Sequence, residues 1–381
     1  MRIGIDAQTI CDPEGKRGAG IEHYTWSIIY SLLRQAPDHE FVIFVPKVFS
    51  ARLAEDLLAG VDNARLVKPF LPRVPLVSQH LLLPLRCLLS KIKVLFSPTG
   101  SAPLGWGGRS VITIHDLAIY DHPEWFNHTK QQWFATRIVV PYSIKCADRI
   151  MAVSEATQKQ LHKKFPFSQS KTAVVYEGVN LPAKIENANV AEGIEDIVLF
   201  LGTIEPRKNL ITTLTAFNQF LDMRPDRAPM TRLFLAGKIG WNSQETLEAI
   251  EKLNRKWAEQ VPGGIVQTLG YVTEQEKWAL LQEASVLFFP SLDEGFGLPV
   301  LEAMAVGIPV IASDRGSLPE IAGDTVYLID PDDLEKLSLT LAQTLLVPQG
   351  LYEMVIAAQH RAKEFTWARA ADQTLKIITS L

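Results

Sequence analysis

Short apolar runs alternate along the chain with longer stretches in which apolar residues recur every three to four positions, the pattern of strands followed by amphipathic helices. The runs Arg2–Asp6, Phe41–Val45, Ala64–Val67, Lys93–Ser97, Ser110–Ile114, Arg149–Val153 and Thr172–Tyr176 predict strands. Between the first two, Ile21, Tyr24, Ile28, Leu32 and Leu33 share one face of a helix over Ile21–Gln35. A second series runs through Ile197–Leu201, Leu233–Ala236, Ile265–Leu269, Val286–Phe289 and Pro309–Ala312. Runs such as IVLFL and SVLFF are apolar throughout, as strands buried on both faces must be. The alternation predicts an α/β protein of two doubly wound, Rossmann-like domains. Residues 178–193 are polar, contain Pro182 and read as a linker, so the domains are expected at 1–180 and 194–365. Two helices close the series, Tyr352–Ala362 and Trp367–Ile378. The apolar face of the second needs a surface to cover, and residues 366–381 are expected to return to the first domain.

Composition narrows the class. With 381 residues, 47% hydrophobic, and 38 basic against 42 acidic side chains, the chain is an ordinary globular protein, not a disordered one. No stretch of about 18 apolar residues could span a bilayer, and MRIGIDAQTI reads as an immediate strand without the features of a signal peptide, so a cytoplasmic location is expected. Cys11, Cys87 and Cys146 are odd in number and far apart, which predicts reduced thiols with no metal or disulfide role. The net charge of −4 conceals an asymmetry: residues 1–180 carry 21 basic and 15 acidic side chains, net +6, and the remainder 17 and 27, net −10. Either the two halves meet different partners, the first an anionic one, or they are two solvated surfaces of opposite sign.

Two segments carry the strongest chemistry. Glu294-Gly-Phe-Gly-Leu-Pro-Val-Leu-Glu302 leads from the strand SVLFF into a helix over Leu298–Val306. Gly295 and Gly297 allow close backbone approach, the helix start offers N–H groups from Gly297 and Leu298, and Glu302, a turn inside, can take both vicinal hydroxyls of a ribose. A plainer assignment makes Glu294 a helix cap and Glu302 a solvated residue. The second segment, Gly202-Thr-Ile-Glu-Pro-Arg-Lys-Asn209, lies between the strand IVLFL and a helix over Leu210–Leu221. Arg207 can grip two oxygens and Lys208 supplies a point charge, which suits a diphosphate. Both as solvated first-turn residues would oppose the helix dipole.

Together these segments, the Gly270-Tyr271-Val272 turn and Ser313-Asp-Arg-Gly316 with Pro319-Glu320 resemble the nucleotide-sugar site of retaining glycosyltransferases of family four. The resemblance covers nearly the whole chain and implies the GT-B fold, two Rossmann-like domains facing each other across a cleft. It implies that Arg207 and Lys208 hold the diphosphate and Glu302 the ribose. Glu294 is implied to contact hydroxyls of the transferred sugar, with the amides of Phe296, Gly297 and Leu298 nearby and the Val272 backbone at the base. Loss of Glu302 is expected to weaken donor binding about tenfold or more, from a charge-assisted bond worth ~1.5–3 kcal/mol.

In the first half, Ile112-Thr-Ile-His115-Asp116-Leu117 ends a strand at its carboxyl end, where open α/β sheets bind ligands. Family members have a His-Asp pair here. The resemblance assigns His115 to the transferred sugar and Asp116 to orienting the acceptor or the imidazole; a packed histidine beside a helix cap is the plainer alternative. Arg17-Gly-Ala-Gly-Ile-Glu-His-Tyr24 reads as the glycine loop near the donor phosphate, with Gly20 kept and Ala19 replacing its neighbour. Val175-Tyr-Glu-Gly-Val-Asn180 resembles the Asn-Gly-Val-Asp hinge that ends the first domain, with Glu177 and Asn180 departing from it, so that no side-chain contact carries over. Residues 73–93 combine Leu76, Val77, His80, Leu81, Leu82, Leu85, Leu88 and Leu89 with Arg73, Arg86, Lys91 and Lys93. They form either a helix lying on an anionic membrane, interrupted at Pro84, or a core helix of the first domain.

The expected reaction is transfer of a hexose from a nucleoside diphosphate to a hydroxyl of a saccharide or lipid-linked acceptor, with retention, in surface polysaccharide synthesis. No Asp-x-Asp metal motif is read in the chain and no cofactor is expected; a front-face displacement assisted by the donor phosphate follows from the lack of a placed carboxylate nucleophile. His122-Pro-Glu-Trp125 and Leu235-Ala-Gly-Lys-Ile-Gly-Trp241 resemble the mannosyltransferase branch, which implies GDP-mannose; UDP-sugars stay open. The alternatives are a nucleotide-sugar epimerase of the same architecture, which needs acid–base groups on both sugar faces, and an inert binding subunit. A Rossmann dehydrogenase is disfavoured, since no Gly-x-Gly-x-x-Gly follows a strand, and no nucleic-acid partner is expected.

Overall fold

The structure, a computed structural model, describes residues 1–10, 20–69, 78–127, 129–182 and 194–381. Cys11, Arg17, Ala19, Arg73, Leu76, Val77 and most of the expected linker lie outside the described residues. The chain divides into two units, one of Met1–Tyr120, His128–Gly178 and Phe365–Leu381, the other of Asp121–Asn127 and Val179–Glu364.

In the first unit seven strands form one sheet: β1 (Arg2–Asp6), β2 (Glu40–Phe44), β3 (Ala64–Val67), β4 (Val94–Ser97), β5 (Arg109–Ile114), β6 (Arg149–Ala152) and β7 (Thr172–Val174). Their spatial order is β3-β2-β1-β4-β5-β6-β7, every pair parallel. In the second unit β8 (Asp196–Leu201), β9 (Thr231–Ala236), β10 (Val266–Gly270), β11 (Val286–Phe289), β12 (Val310–Ser313) and β13 (Tyr327–Ile329) are ordered β10-β9-β8-β11-β12-β13, again parallel. Each chain path first runs outward from the central strand and then returns to its other side. The strand order therefore reverses between β1 and β4 and between β8 and β11, and the crevice at the carboxyl ends of such a pair is where open α/β sheets take ligands. Every residue of β8 and β11 is buried, which explains the unbroken apolar runs Ile197–Leu201 and Val286–Phe289.

The C-terminal helix Trp367–Thr379 packs on Ile21–Gln35 in the first unit. Trp367 is fully buried against Tyr24, Gln35 donates to the Ala368 carbonyl at 3.0 Å, and Tyr176 meets Phe365 edge to face. Gly178 is required here, because a Cβ on it would lie 2.1 Å from the Trp367 nitrogen. The short segment Asp121–Asn127 belongs with the second unit, not with the residues on either side of it. Trp241 Nε1 donates to the Trp125 carbonyl at 2.6 Å and stacks on Phe126.

Two elements differ from expectation. β7 stops at Val174, which leaves Tyr176 and Glu177 outside the sheet. β13, only three residues long, is too short for its periodicity to register. Pro84 interrupts the α-helical pattern, as expected, without ending the coil: a π-helical turn, Ser78–Leu82, precedes it and runs into the helix Leu83–Leu89, so the bond that the proline cannot donate falls at the change of helix type. Among the described residues no helix is long and apolar enough to cross a membrane.

Candidate functional site

The loops that leave β8 and β11 at their carboxyl ends are tied together. After Leu201 the chain makes a 3₁₀ turn, Pro206–Lys208, and Asn209 takes a left-handed conformation before the helix Leu210–Met223 begins. Asn209 donates to the Pro290 carbonyl at 3.1 Å, and the Leu292 amide donates to the Arg207 carbonyl at 2.9 Å. These bonds fix the two loops in register and bring Glu205, Arg207, Lys208 and Glu294 into one cluster. Lys208 Nζ donates to Glu294 Oε1 at 2.5 Å and lies 4.9 Å from the centre of the Phe289 ring. Arg207 reaches Glu294 Oε2 at 3.3 Å and the Asp293 carbonyl at 3.0 Å, and its Nη2 pairs with Glu205 Oε1 at 2.9 Å.

Lys208, Glu205 and Glu294 are buried, so neither cation is the solvated first-turn residue of the plainer assignment. Burial alone would raise the Glu294 pKa, but Lys208 and then Arg207 outweigh it and hold the carboxyl below its ordinary 4.5. The four charges sum to zero in a dry setting, where losing one partner would leave another uncompensated.

The glycines fit this arrangement. Gly297 has φ +96° and begins the helix Leu298–Val306, and a Cβ there would lie 2.5 Å from Leu318. At Gly316 (φ +58°) a Cβ would come within 2.5 Å of the Glu294 carbonyl, the same oxygen that accepts from the Ser317 amide at 3.0 Å. Phe296 is buried beside this helix start, whose first-turn N–H groups, like those of any helix, have no partner within the helix.

Glu302 lies within the same helix and is 4% exposed. Its partner is one that the sequence reading missed: Lys277 donates to Glu302 Oε1 at 2.5 Å and to Glu274 Oε1 at 2.9 Å. Lys277 stands three residues after Glu274 on the helix Glu274–Glu283, a spacing that reads as an ordinary surface pair and disguised it. Val272 lies in the turn between β10 and this helix, at the carboxyl end of the strand. Thr273 caps the helix with a reciprocal Glu276 bond.

In the first unit, His115 follows β5. Its Nε2 is 2.7 Å from the Pro98 carbonyl, which can only accept, so Nε2 donates. Nδ1 faces Glu177 Oε1 at 3.3 Å, and Tyr24 packs edge-on against the ring at 4.6 Å. Burial pushes the Tyr24 phenol above its ordinary range, and its hydroxyl lies 3.1 Å from Thr113 Oγ1. The imidazole's carboxylate partner is thus Glu177, from the segment after β7; Asp116 instead accepts the Ala118 amide at 3.3 Å. The hinge contact that the sequence left unassigned is made because β7 ends early. Gly20, at φ +61°, starts the helix that carries Tyr24.

Two expectations need correction. An Asp-x-Asp spacing does occur, at Asp330-Pro331-Asp332 after β13, but Arg315 pairs with Asp330 at 2.7 Å and Asp332 at 3.4 Å, and Asp330 also accepts the Asp332 amide. Arg86 does not belong to a membrane-facing set: it turns inward, donating to the Val67 carbonyl at 3.1 Å and lying over Phe44. Cys87 and Cys146 are free thiols, and burial pushes Cys87 up to about 12.

Comparison with known proteins accords with this geometry. Residues 183–361 match the family Glycosyl transferases group 1, and residues 18–182 match Glycosyltransferase Family 4. The chain is 30% identical over 276 residues to the O-antigen chain mannosyltransferase B of Escherichia coli, covering 70% of this chain and 69% of that one. It is 28% identical over 285 residues to a D-inositol 3-phosphate glycosyltransferase of Streptomyces scabiei (strain 87.22), covering 72% and 63%. The match to the Escherichia coli serotype-specific mannosyltransferase WbdA, 27% over 247 residues, spans 65% of this chain and only 28% of that protein. Among solved structures, HepE of Anabaena in complex with UDP and glucose superposes with a TM-score of 0.73 at 17% identity over the whole of both chains. WaaG, a glycosyltransferase involved in lipopolysaccharide biosynthesis, gives 0.72 at 14%, also over the whole of both. The chain belongs to the family four glycosyltransferases and has the two parallel-sheet domains of the GT-B fold.

Proposed function

We propose that this glycosyltransferase moves mannose, with retention, from GDP-mannose to a hydroxyl of a saccharide or lipid-linked acceptor in surface polysaccharide synthesis. The observation that carries this reading is the Arg207–Lys208–Glu294 cluster at the reversal point of the second sheet, joined to the mannosyltransferase names of the relatives. In the reading, a diphosphate draws Arg207 and Lys208 away from the carboxylates that balance them and is neutralised by them without a metal. Glu294, its two cations transferred to the phosphates, then accepts hydroxyls of the sugar. The amides of Phe296, Gly297 and Leu298 border that position, Glu302 takes the ribose, and the Val272 backbone meets the base. Gly20 is assigned to the loop near the donor phosphate, and His115 and Asp116 to the acceptor side, with His115 toward the transferred sugar. The leaving diphosphate itself removes the acceptor proton as the new bond forms.

Incubation with radiolabelled GDP-mannose and with UDP-glucose tests this. Label entering an acceptor glycan from GDP-mannose supports it, a rearranged nucleotide-sugar points to an epimerase, and preferential thermal stabilisation by UDP over GDP overturns the mannosyl assignment.

Membrane contact is the second part of the reading. Leu81, Leu85, Leu88 and Leu89 lie exposed along Ser78–Leu89, and Lys91 and Lys93, also exposed, flank them. An apolar stripe beside cations suits the inner face of an anionic bilayer. Sedimentation with phosphatidylglycerol vesicles, lost on changing the four leucines to serine and absent with neutral vesicles, supports this part; equal sedimentation of both proteins overturns it.

A further inference from the structure

Lys277 is a half-buried ammonium, its side chain 15% exposed, that touches two carboxylates and lies 4.7 Å from the centre of the Trp278 ring. Trp278 Nε1 also donates to Glu274 Oε1 at 3.0 Å, so Glu274 is itself held in place. The arrangement is a relay of fixed contacts: Trp278 sets Glu274, Glu274 and the ring set Lys277, and Lys277 sets Glu302. Burial alone would lower the Lys277 pKa, but the Glu302 and Glu274 carboxylates reverse the direction and keep the group charged. A carboxylate oxygen has two acceptor sites, so Oε1 can hold Lys277 and still accept one hydroxyl. The bond to Lys277 therefore fixes the direction of the Glu302 carboxylate without exhausting it.

We infer that Lys277 is a positioning residue for donor recognition, clamping Glu302 so that its two oxygens present a fixed pair of acceptors to the vicinal hydroxyls of the donor ribose. The inference rests on the reading of Glu302 as the ribose carboxylate. In this role Lys277 acts through Glu302. With the clamp removed, the Glu302 carboxylate loses the short contact that sets its direction, and the geometric match to a cis-diol is weakened even though the carboxylate remains.

The test compares affinities for GDP and 2′-deoxy-GDP, with UDP and 2′-deoxy-UDP in parallel, by calorimetry on the full chain. The wild type is expected to prefer the ribose form about tenfold or more, and E302Q to lose that preference. K277M is expected to reduce it below about threefold, and K277R, which retains a cation, to restore part of it. K277Q, which keeps a polar donor of smaller reach, is expected to behave as K277M and guards against a core defect in the methionine variant. A residue with only a structural role would lower the unfolding temperature and leave the ribose-to-deoxyribose ratio untouched. If the wild type and E302Q discriminate but K277M and K277Q also do so fully, the clamp is overturned. If the wild type shows no ribose preference, the Glu302 reading falls first and the clamp falls with it.

Discussion

The two units each place a buried polar cluster at the reversal point of a parallel sheet, and they build it from different materials. In the second unit the cluster is ionic, with two cations and two carboxylates lying within eight residues of the ends of β8 and β11. In the first it is centred on a single imidazole, held by a main-chain carbonyl, a carboxylate and an aromatic edge. An ionic cluster of zero sum can release its cations to a ligand of high charge and recover them afterwards. A single ring fixed on both nitrogens, with one carboxylate beside it, has no such pair of cations to give up. On the proposed function, the contrast gives charge neutralisation to the second unit and positioning to the first.

The sharpest way to break that contrast is Glu294→Ala. Stranding Lys208 in a dry site is expected to cost about 3–5 kcal/mol of stability, measured by urea denaturation, and adding Lys208→Met should recover much of it. A wild-type midpoint in the single variant would mean that the cluster is solvated and the contrast unfounded. Glu302→Ala comes next, with nucleotide affinity expected to fall about tenfold or more by calorimetry and stability to change little by comparison. Glu177→Gln is expected to cost about 1 kcal/mol of stability and to lower turnover while leaving nucleotide affinity at the wild-type value. Altered nucleotide affinity in that variant would erase the division between the two clusters.

The smallest effect is one of pH. Glu294 titrates below its ordinary value of 4.5 when folded, so the stability it contributes is present above that value and is lost as the pH falls through the folded one. The stability gap between wild type and Glu294→Gln should therefore narrow on going from about pH 6 to about pH 3. A gap that is constant with pH would place the effect of Glu294 in packing instead of charge.

The same contrast explains what could be read in the sequence. Twelve of the thirteen strands were legible as apolar runs, most plainly where both faces are buried, whereas β13 is a Tyr-Leu-Ile run directly before the acidic turn Asp330–Asp333. Glu294, Glu302, Arg207 and Lys208 were legible because each sits in a short motif bordering a strand and a helix. The first-unit cluster draws on Tyr24, Pro98, the Thr113–His115 segment, Glu177 and Trp367, which are scattered along the chain, so its sequence signal reduces to one histidine. Glu177 was set aside because it departs from the hinge pattern, yet its carboxylate meets the ring. Lys277 was concealed by helical spacing that also describes solvent-exposed pairs. Arg86 was misread because side-chain direction decides whether a cation near leucines faces water or reaches a strand carbonyl.

The return of Trp367–Thr379 to the first unit has a consequence for how the molecule is made. The first seven strands leave the ribosome long before Trp367, and the whole of Val179–Glu364 is synthesised in between. During that interval the aromatic edge of Tyr24 and the groove along Ile21–Gln35 have no cover, while the second unit, nearly continuous in sequence, can close first. Assembly of the half that begins the chain is thus timed by the half that follows it, and the uncovered groove is where a nascent chain would need protection from its neighbours.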